Sequence, residues 1–293
     1  MPAAGWLDFL GEFALQTGRR RTAIILDGPD SGKSAFASFA ARFLASGENA
    51  FPVCLVDADV GQSSIGLPGT ISIKRYSLHT RGLALKNPWP DRMTFIGAVN
   101  PALRIPEMIE GVKRMAARCG KQYAVLVDTT GLVSGGLGRA LKLGKIKALR
   151  PGYVIAIQKE VELEHILGAL PGIAGPKIIR FKPSRMAKKT SGAARANYRR
   201  QRYSQYFASV RLLKVPLGGR HKIRLNYRRM QLDICAMDFD TEHLAGNIAG
   251  LNKGADTLAL GVFKSIEKGR ALFLAPLESA VKIDNILFGE IFL

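Results

Sequence analysis

The sequence lacks acidic residues over a long central interval. Between Glu164 and Asp233 there is no aspartate or glutamate, although this interval holds 17 of the 43 lysines and arginines. The formal net charge is +20, so the rest of the chain carries only +3. Because uncompensated like charges destabilise a compact state, the interval favours an anionic partner, most simply nucleic acid. A solvated basic face or an effect at a membrane surface is the alternative.

Cysteines and long apolar runs are also scarce. Cys54, Cys119 and Cys235 are widely spaced, which predicts neither a disulfide framework nor a zinc site and favours a reducing cytoplasm. No apolar run reaches the roughly 18 residues that a membrane span needs. Residues 1–18 resemble an amphipathic helix more than a cleavable signal peptide. The four histidines are scattered without metal-ligand spacing. We therefore expect a cytoplasmic protein that does not use a membrane.

What is present is an alternation of apolar strands and helical segments. Over the first 180 residues this alternation predicts an α/β three-layer sandwich with a mostly parallel sheet. Residues 184–207 are basic and helix-prone, with a break near Gly192, which suggests a hinged lid. From residue 210 onward the pattern alternates as in strands. We therefore predict a domain over residues 1–209 that includes the lid, and a small β-rich subdomain over residues 210–293.

A phosphate-binding loop follows the first predicted strand. The apolar run at residues 23–26 leads into a Gly-rich turn and then a helix, an arrangement that presents backbone N–H groups to phosphates. Lys33 would add a charge at the β and γ oxygens, and Ser34 would hold Mg²⁺. Asp27 stands where the usual spacing has the first glycine. The residues predicted to bind the nucleotide are Gly28, Pro29, Asp30, Ser31, Gly32, Lys33 and Ser34.

Carboxylates follow two further strands. Asp57 and Asp59 lie two apart at a strand end, so both would point towards a ligand beyond it. One can hold a metal and the other can accept a proton from an attacking hydroxyl. Asp128 ends another strand and offers a second metal-side carboxylate, and the adjacent threonines offer a hydroxyl for the γ-phosphate. Loop capping and ordinary turn chemistry are the alternatives for these residues.

Arginines and tyrosines interleave in the lid segment. Arg195, Arg199 and Arg202 share one helical face, where they would repel each other unless they meet an anion. That anion could be a transferring phosphoryl group or a nucleic-acid backbone. Tyr198 and Tyr203 could stack on bases or simply pack the helix.

These motifs together resemble the polynucleotide 5′-hydroxyl kinases, P-loop enzymes that phosphorylate RNA or DNA ends. The resemblance covers residues of about 22–210. It depends on the phosphate loop, on the basic segment that ends at residues 206–207, and on two further motifs. These motifs are Asp-Ala-Asp-Val-Gly-Gln at residues 57–62 with Pro-Gly-Thr at 68–70, and Asp-Thr-Thr-Gly-Leu-Val at 128–133.

The resemblance implies a kinase that uses ATP or GTP with Mg²⁺. It implies Asp59 as the general base on the 5′-hydroxyl, with Asp57 supporting the metal and Gln62 at the acceptor or the metal. Together with Gln62, the lid residues Arg202, Tyr198 and Tyr203 form the predicted nucleic-acid surface.

The same resemblance assigns the groups that grip the transferring phosphoryl. Thr129 would hold the γ-phosphate, and Arg195 and Arg199 would stabilise the transition state. Two positions depart from the family pattern. Asp27 replaces the loop glycine, and Leu132 stands where the family often has a tryptophan that could stack on the substrate.

Two other functions are consistent with parts of the sequence. A switch ATPase of the partitioning or metal-chaperone type shares a deviant loop and an Asp-x-Asp strand end, but it gives no reason for the basic interval. A non-enzymatic RNA-binding subunit could keep a nucleotide for structure, although the intact Lys33 and Asp59 speak against it. Phosphorylation of a 5′-hydroxyl end distinguishes the kinase from both.

Overall fold

The elements of the fold follow the predicted alternation of strands and helices. The structure, a computed structural model, describes residues 5–46, 50–77, 89–170, 175–184, 189–217, 224–227, 230–233, 242–280 and 282–293. The helices are α1 (Trp6–Ala14), α2 (Lys33–Leu44), α3 (Ile105–Arg118), α4 (Gly135–Leu149), α5 (Glu164–Leu167) and α6 (Gly192–Tyr206).

Fourteen strands form one sheet across these described ranges. They are β1 (Thr22–Asp27), β2 (Val53–Ala58), β3 (Thr70–Tyr76), β4 (Arg92–Phe95), β5 (Ala124–Thr129), β6 (Tyr153–Ile157), β7 (Lys177–Phe181), β8 (Arg211–Pro216), β9 (Arg224–Tyr227), β10 (Met230–Asp233), β11 (Asn247–Lys253), β12 (Asp256–Glu267), β13 (Arg270–Ala275) and β14 (Asn285–Phe292).

The half of the sheet that carries the phosphate loop is parallel. Its strands lie in the order β2-β5-β1-β6-β7, and every neighbouring pair among them is parallel. The carboxyl ends of β1, β2 and β5 therefore meet at one edge, where open α/β sheets bind their ligands. Asp57 pairs with Asp128 across β2 and β5, so the two carboxylate motifs start from the same level of the sheet.

The remaining strands extend the sheet with mostly antiparallel pairs. β3 and β4 continue from β2, and β12 then joins β4 where Thr257 pairs with Met93. The described part of the chain after residue 210 is rich in strands, as predicted. These strands continue the main sheet at this junction. Parts of the predicted strands, residues 222–223 and 234–236, lie outside the described residues.

Helices cover both faces of the parallel half. Apolar side chains on one face, such as Val127, pack with Met108 of α3 and Leu141 of α4. On the other face, Leu126 belongs to a cluster with Phe36 of α2. Successive strand residues point to opposite faces, so the near-continuous apolar runs of these strands fill both layers. The α/β P-loop fold expected from the sequence is confirmed.

One pair of cysteines departs from the sequence analysis, which predicted no disulfide framework. Cys54 on β2 forms a disulfide with Cys119 just after α3, with Cα atoms 5.7 Å apart and both residues buried. The two are 65 residues apart along the chain, and the packing of α3 against β2 brings them together. Spacing along the sequence carries no trace of this contact, so the prediction of no disulfide was wrong.

The lid segment is a helix from Gly192 onward. α6 begins at the break that the sequence suggested, with the Ser191 hydroxyl accepting a hydrogen bond from the Ala194 N–H as an N-cap. The predicted lid also includes residues 185–188, which lie outside the described residues. No helix in the described ranges is long and apolar enough to cross a membrane.

Candidate active site

The phosphate loop is a tight turn between β1 and α2. β1 ends at Asp27 and α2 begins at Lys33, so residues 28–32 form the turn. Gly32 has a φ of 92° and Asp30 a φ of 59°, both in the left-handed region. Glycine adopts this conformation without strain, and aspartate tolerates it better than most residues. The turn thus places the N-terminus of α2 at the sheet edge, in the arrangement that binds phosphate.

Asp27, the residue in place of the first loop glycine, lies inside the loop. Its side chain is fully buried and accepts a hydrogen bond from the Ser31 hydroxyl. Its other oxygen is 3.4 Å from the Lys33 ammonium. Burial raises the pKa of Asp27 above its usual range, although Lys33 and Ser31 favour the carboxylate. The Asp27 side chain therefore lies inside the loop, and its polar partners, Ser31 and Lys33, come from the loop and the start of α2.

Lys33 lies among three carboxylates. Its ammonium is 3.4 Å from Asp27 and 3.5 Å from Asp59, and Asp128 acts on it through its charge. Burial alone would lower the pKa of Lys33, but these three carboxylates outweigh burial and raise it above the ordinary value. Lys33 is therefore held as an ammonium at the point where the sequence predicts phosphate oxygens.

Asp57 organises the loop that follows β2. Its buried carboxylate accepts hydrogen bonds from Asp59 N (3.0 Å), Ser63 Oγ (2.9 Å), Ser64 N (2.5 Å), Ser64 Oγ (3.0 Å) and Ile65 N (3.1 Å). Burial raises the pKa of Asp57, which these donors partly offset. With both oxygens engaged, the side chain shapes the loop instead of facing open space.

Asp59 faces the cavity above the sheet edge. Its Oδ1 accepts hydrogen bonds from Gly61 N at 3.0 Å and Gln62 N at 3.1 Å, and its Oδ2 is the oxygen near Lys33. One oxygen is thus anchored by the backbone while the other lies among the predicted catalytic groups. Gln62 lines the same cavity, and its predicted role at the acceptor or the metal stays a prediction.

Asp128 and Ser34 fit a magnesium site. Asp128 is buried, and neither carboxylate oxygen accepts a well-formed hydrogen bond from the described residues, although the Ser34 hydroxyl lies beside them. Burial raises the pKa of Asp128 to about 7, against the lowering influence of Lys33. Buried oxygens without partners are costly, and Mg²⁺ prefers oxygen ligands of this kind. The donor set therefore suits the metal that the sequence analysis expected.

The loop after β5 presents Thr130 to the cavity, while Thr129 faces the sheet. The Thr129 hydroxyl donates to the Ile25 carbonyl at 2.7 Å, and the side chain is fully buried. The Thr130 hydroxyl is buried without a hydrogen-bond partner in the described chain, and Thr130 lines the cavity. A role for Thr129 at the γ-phosphate stays a prediction. Because the Thr129 hydroxyl donates to the Ile25 carbonyl, the Thr130 hydroxyl is better placed to contact a ligand in the cavity.

This loop also packs tightly against the phosphate loop. A Cβ added to Gly131 would lie 3.1 Å from both the Cα and the N of Pro29. Only glycine allows this approach without a shift of backbone. Leu132, the second departure from the family pattern, lines the cavity with an aliphatic side chain.

The lid helix reaches the phosphate loop through Arg195. The guanidinium donates to Asp30 with 2.8 Å between Nη2 and Oδ2, and the same oxygen accepts a hydrogen bond from Thr190 N at 3.1 Å. Although partial burial opposes it, these donors lower the pKa of Asp30. Arg199 also lines the cavity, one helical turn further on. The structure thus brings together both arginines that the sequence predicted.

Three other lid residues dock the helix onto the loop after β2. Tyr198 donates to the Ser63 carbonyl at 2.6 Å, Arg202 to the Gly66 carbonyl at 2.7 Å and Tyr203 to the Pro68 carbonyl at 2.7 Å. The Arg202 guanidinium also lies over the Trp89 ring, 4.9 Å from its centre.

Of these docking residues, Tyr203 departs most from its predicted role. Tyr203 is buried in an apolar cluster with Leu67 and Met93, so its ring offers no face to a base. Stacking of Tyr203 on nucleic acid is therefore not supported, because the contact with the loop after β2 uses the side chain for packing.

Two functional candidates were missed by sequence reasoning. Lys142 and Lys145 on α4 are fully buried beneath the site, where Lys142 donates to Thr129 Oγ1 at 2.6 Å and Lys145 to the Ala58 carbonyl at 3.5 Å. In the sequence they look like solvated helix positions. Their spacing of three, one helical turn after a glycine at position 138, was the only available signal.

One cavity joins these segments. It measures about 410 Å³ and is lined by residues from the phosphate loop, the loops after β2, β4 and β5, and the lid: Pro29, Asp30, Lys33, Asp59, Gly61, Gln62, Val99, Asn100, Pro101, Thr130, Gly131, Leu132, Val133, Ser134, Arg195 and Arg199. One lysine, two carboxylates and two arginines thus line a single cavity at the carboxyl end of the parallel strands.

The fold and this site define a P-loop protein of the phosphotransferase type. The family model described as mRNA cleavage and polyadenylation factor CLP1 P-loop matches residues 28–209. The chain therefore belongs to the Clp1 P-loop family, the family of the polynucleotide 5′-hydroxyl kinases.

Curated relatives carry the kinase name. The polyribonucleotide 5′-hydroxyl-kinase of Pyrococcus furiosus is 28% identical, with 92% of this chain and 86% of the relative covered. The one from Methanocaldococcus jannaschii is 34% identical, with 66% of this chain and 52% of the relative covered. The matched region thus spans about half the length of the second relative.

Solved structures share the fold. The wild-type Clp1p–Pcf11p complex has a TM-score of 0.73 at 12% identity, covering 97% of this chain and 77% of that chain. A second structure, of the extended interface between Pcf11p and Clp1p, has a TM-score of 0.70 at 11% identity, covering 98% of this chain and 80% of that chain. At such identities the likeness concerns the fold alone.

Proposed function

We propose that this protein is a polynucleotide 5′-hydroxyl kinase that transfers the γ-phosphoryl of ATP or GTP to the 5′-hydroxyl end of RNA or DNA. The observation that carries the proposal is the convergence of Lys33, Asp59 and Arg199 on one cavity. In-line phosphoryl transfer needs a cation on the phosphates, a group that orients the nucleophile and a charge clamp on the transferring group. Lys33, Asp59 and Arg199 provide these three groups around one cavity.

Asp59 is the general base of this proposal. Its Oδ1 is anchored by two backbone N–H groups, which leaves Oδ2 to accept the proton of the attacking hydroxyl. The 5′-oxygen then forms its bond to the γ-phosphorus while the bond to the β–γ bridging oxygen breaks. The products are a 5′-phosphorylated end and a nucleoside diphosphate, with the proton on Asp59.

The phosphate side is assigned to the loop and its neighbours. Lys33 neutralises the β and γ oxygens, and the backbone of residues 28–32 cradles them. Ser34 and Asp128 would hold Mg²⁺, which when bound neutralises charge on the β- and γ-phosphates. Asp57 supports the site by shaping the loop that carries Asp59, and its support of the metal, directly or through water, stays a prediction.

The lid supplies the transition-state charge. Arg199 and Arg195 both line the cavity, and Arg195 can bind the transferring phosphoryl group once its bond to Asp30 is exchanged for one to phosphate. Guanidinium groups suit this task because they are always charged and bind phosphate oxygens in pairs. Thr130 adds a hydroxyl that has no hydrogen-bond partner among the described residues.

RNA is the favoured acceptor. The curated relatives are named polyribonucleotide kinases, and the interval of 17 basic residues without a carboxylate suits a polyanion. Phosphate contacts of this kind release counterions, so single-strand affinity should fall with salt by a log–log slope of about −0.7 per phosphate neutralised. A flat salt response would remove the polyanion from the proposal. A cytoplasmic location stays a prediction.

The decisive experiment is phosphorylation of synthetic oligonucleotides. Purified protein is incubated with γ-labelled ATP or GTP and with RNA or DNA that carries a 5′-hydroxyl or a 5′-phosphate. Label should enter only the 5′-hydroxyl strands and should vanish with Lys33→Ala or Asp59→Asn. Asp8→Asn, at an exposed position of α1, is the matched control and should keep full activity. Full activity of either site variant would sink the assignment.

The same reaction separates the two rival functions. A switch ATPase would release labelled phosphate without labelling any strand. A non-enzymatic RNA-binding subunit would bind nucleotide and RNA without turnover. The kinase proposal requires labelled product that rises with the concentration of 5′-hydroxyl ends.

A further inference from the structure

Two lysines of α4 are buried beneath the phosphate loop. Lys142 and Lys145 are both 0% exposed, although lysine is almost never fully buried unless it has partners. They lie three residues apart, so they share one face of the helix. Lys147 on the same helix is exposed. The face of α4 that meets the active-site loops is thus the one that carries two cations.

A glycine lets the helix approach closely enough for this contact. A Cβ at Gly138 would lie 2.4 Å from the carbonyl carbon of Val133, so no other residue fits there without a shift of the backbone. Gly138 precedes Lys142 by one turn and lies on the same face. The close approach brings both lysine side chains under the strand ends.

Lys142 ties the ends of β5 and β1 together. Its ammonium donates to the Thr130 carbonyl and, at 2.6 Å, to the Thr129 hydroxyl. The Thr129 hydroxyl in turn donates to the Ile25 carbonyl at 2.7 Å. Lys142 is therefore at the start of a chain of hydrogen bonds that ends two residues before Asp27, on the strand that leads into the phosphate loop.

Lys145 holds the end of β2. Its ammonium is 3.5 Å from the carbonyl of Ala58, the residue between Asp57 and Asp59. The peptide it contacts is therefore the one that sets the direction of the proposed general base.

The charges of the site explain why two such lysines are tolerated. Four carboxylates at the strand ends are buried, namely Asp27, Asp57, Asp59 and Asp128. Lys33 alone would leave an excess of negative charge on these four carboxylates, and a polyphosphate would add more. Burial lowers the pKa of Lys142 to about 7 and that of Lys145 to about 8, against the carboxylates. An arriving polyphosphate favours the charged form of both.

We propose that Lys142 and Lys145 are positioning residues of a nucleotide site: they hold the ends of β5 and β2, and their positive charge lets a polyphosphate bind among four buried carboxylates. The inference depends on the proposed function only in requiring that the site binds a nucleoside polyphosphate.

The test compares Lys142→Met and Lys145→Met with Lys147→Met, which removes the same charge from the exposed face of the same helix. Affinities for ATP, ADP and AMP are measured by calorimetry, together with turnover on a 5′-hydroxyl RNA. Each buried variant should weaken ATP binding by about tenfold or more, since one charge is lost within a low-dielectric site. The loss should be smaller for ADP and smallest for AMP, and turnover should fall beyond the loss in affinity.

A purely structural role would give a different pattern. Equal losses for ATP, ADP and AMP, or no loss in variants with native circular dichroism, would overturn the proposal. If a methionine variant does not fold, the glutamine variant at the same position, which keeps a donor without the charge, is measured instead against the same two outcomes. Because nucleotide binding needs no acceptor, graded losses in a protein that fails to label RNA would uphold this inference and reject the proposed function.

Discussion

Arg195 on the lid helix donates a hydrogen bond to Asp30 of the phosphate loop, with 2.8 Å between Nη2 and Oδ2. The two residues are 165 positions apart along the chain. Both side chains are partly accessible to solvent, so screening keeps the strength of this ion pair small. The contact therefore docks the lid on the phosphate loop through an ion pair of modest strength.

Asp30→Asn should release this contact without distorting the loop. Asparagine tolerates the positive φ at this position and removes the charge that holds Arg195. We expect turnover to be retained or raised, with a lower KM for nucleotide, because Arg195 no longer has to leave a carboxylate. The measurement is steady-state labelling of a 5′-hydroxyl RNA over a range of ATP. A loss of turnover as large as that of Arg195→Ala would show that Asp30 itself acts in the reaction.

Arg199→Ala should lower turnover far more than nucleotide affinity. Arginines that stabilise a transferring phosphoryl group contribute about 10³–10⁵ in rate, because they act mainly on charge that develops in the transition state. Arg200→Ala is the control, since Arg200 lies next in the helix and is exposed. Single-turnover rates and ATP titrations measure the two effects separately. Equal losses of rate and affinity would indicate a binding role for Arg199.

Gly131→Ala should disturb the phosphate loop from outside it. The new Cβ would meet the backbone of Pro29 at 3.1 Å, so the loops after β1 and β5 must separate. We expect the KM for ATP to rise severalfold with little change in the folding of the domain. Gly136→Ala is the control, because a Cβ at Gly136 meets no atom within 4 Å. An unchanged KM for Gly131→Ala would show that this approach is not needed for nucleotide binding.

Tyr203→Phe should reduce stability and leave RNA binding intact. The change removes the hydroxyl that donates to the buried Pro68 carbonyl, which costs about 1–2 kcal/mol of the free energy of unfolding. Denaturant unfolding measures this cost, and Tyr123→Phe, at a half-buried tyrosine, serves as the comparison. RNA affinity at fixed salt should match that of the unchanged protein. A weaker affinity with normal stability would restore the predicted stacking role.

Local motifs could be predicted from the sequence because their chemistry lies within a few residues. The loop that ends in Lys33 is a strand, a turn and a helix start in unbroken order, so its phosphate-binding geometry is contained in that order. Asp59 and Asp128 follow apolar strands, and parallel strands bring their carboxyl ends to one edge. The order of residues along the chain was therefore enough to predict that these side chains group around a nucleotide.

Hydrophobic periodicity and the positions of strand ends were thus enough to predict the α/β P-loop fold, the phosphate loop and the carboxylates that converge on it. Which of these side chains keep polar atoms without a hydrogen-bond partner in the described chain depends instead on tertiary packing. Packing engaged Asp57 in its own loop, left the buried oxygens of Asp128 without a well-formed hydrogen bond from the described residues, buried Tyr203 and turned Lys142 inward. It also joined Cys54 to Cys119. These outcomes depend on which elements pack together over long separations, and a residue's type and neighbours in sequence carry no record of that packing.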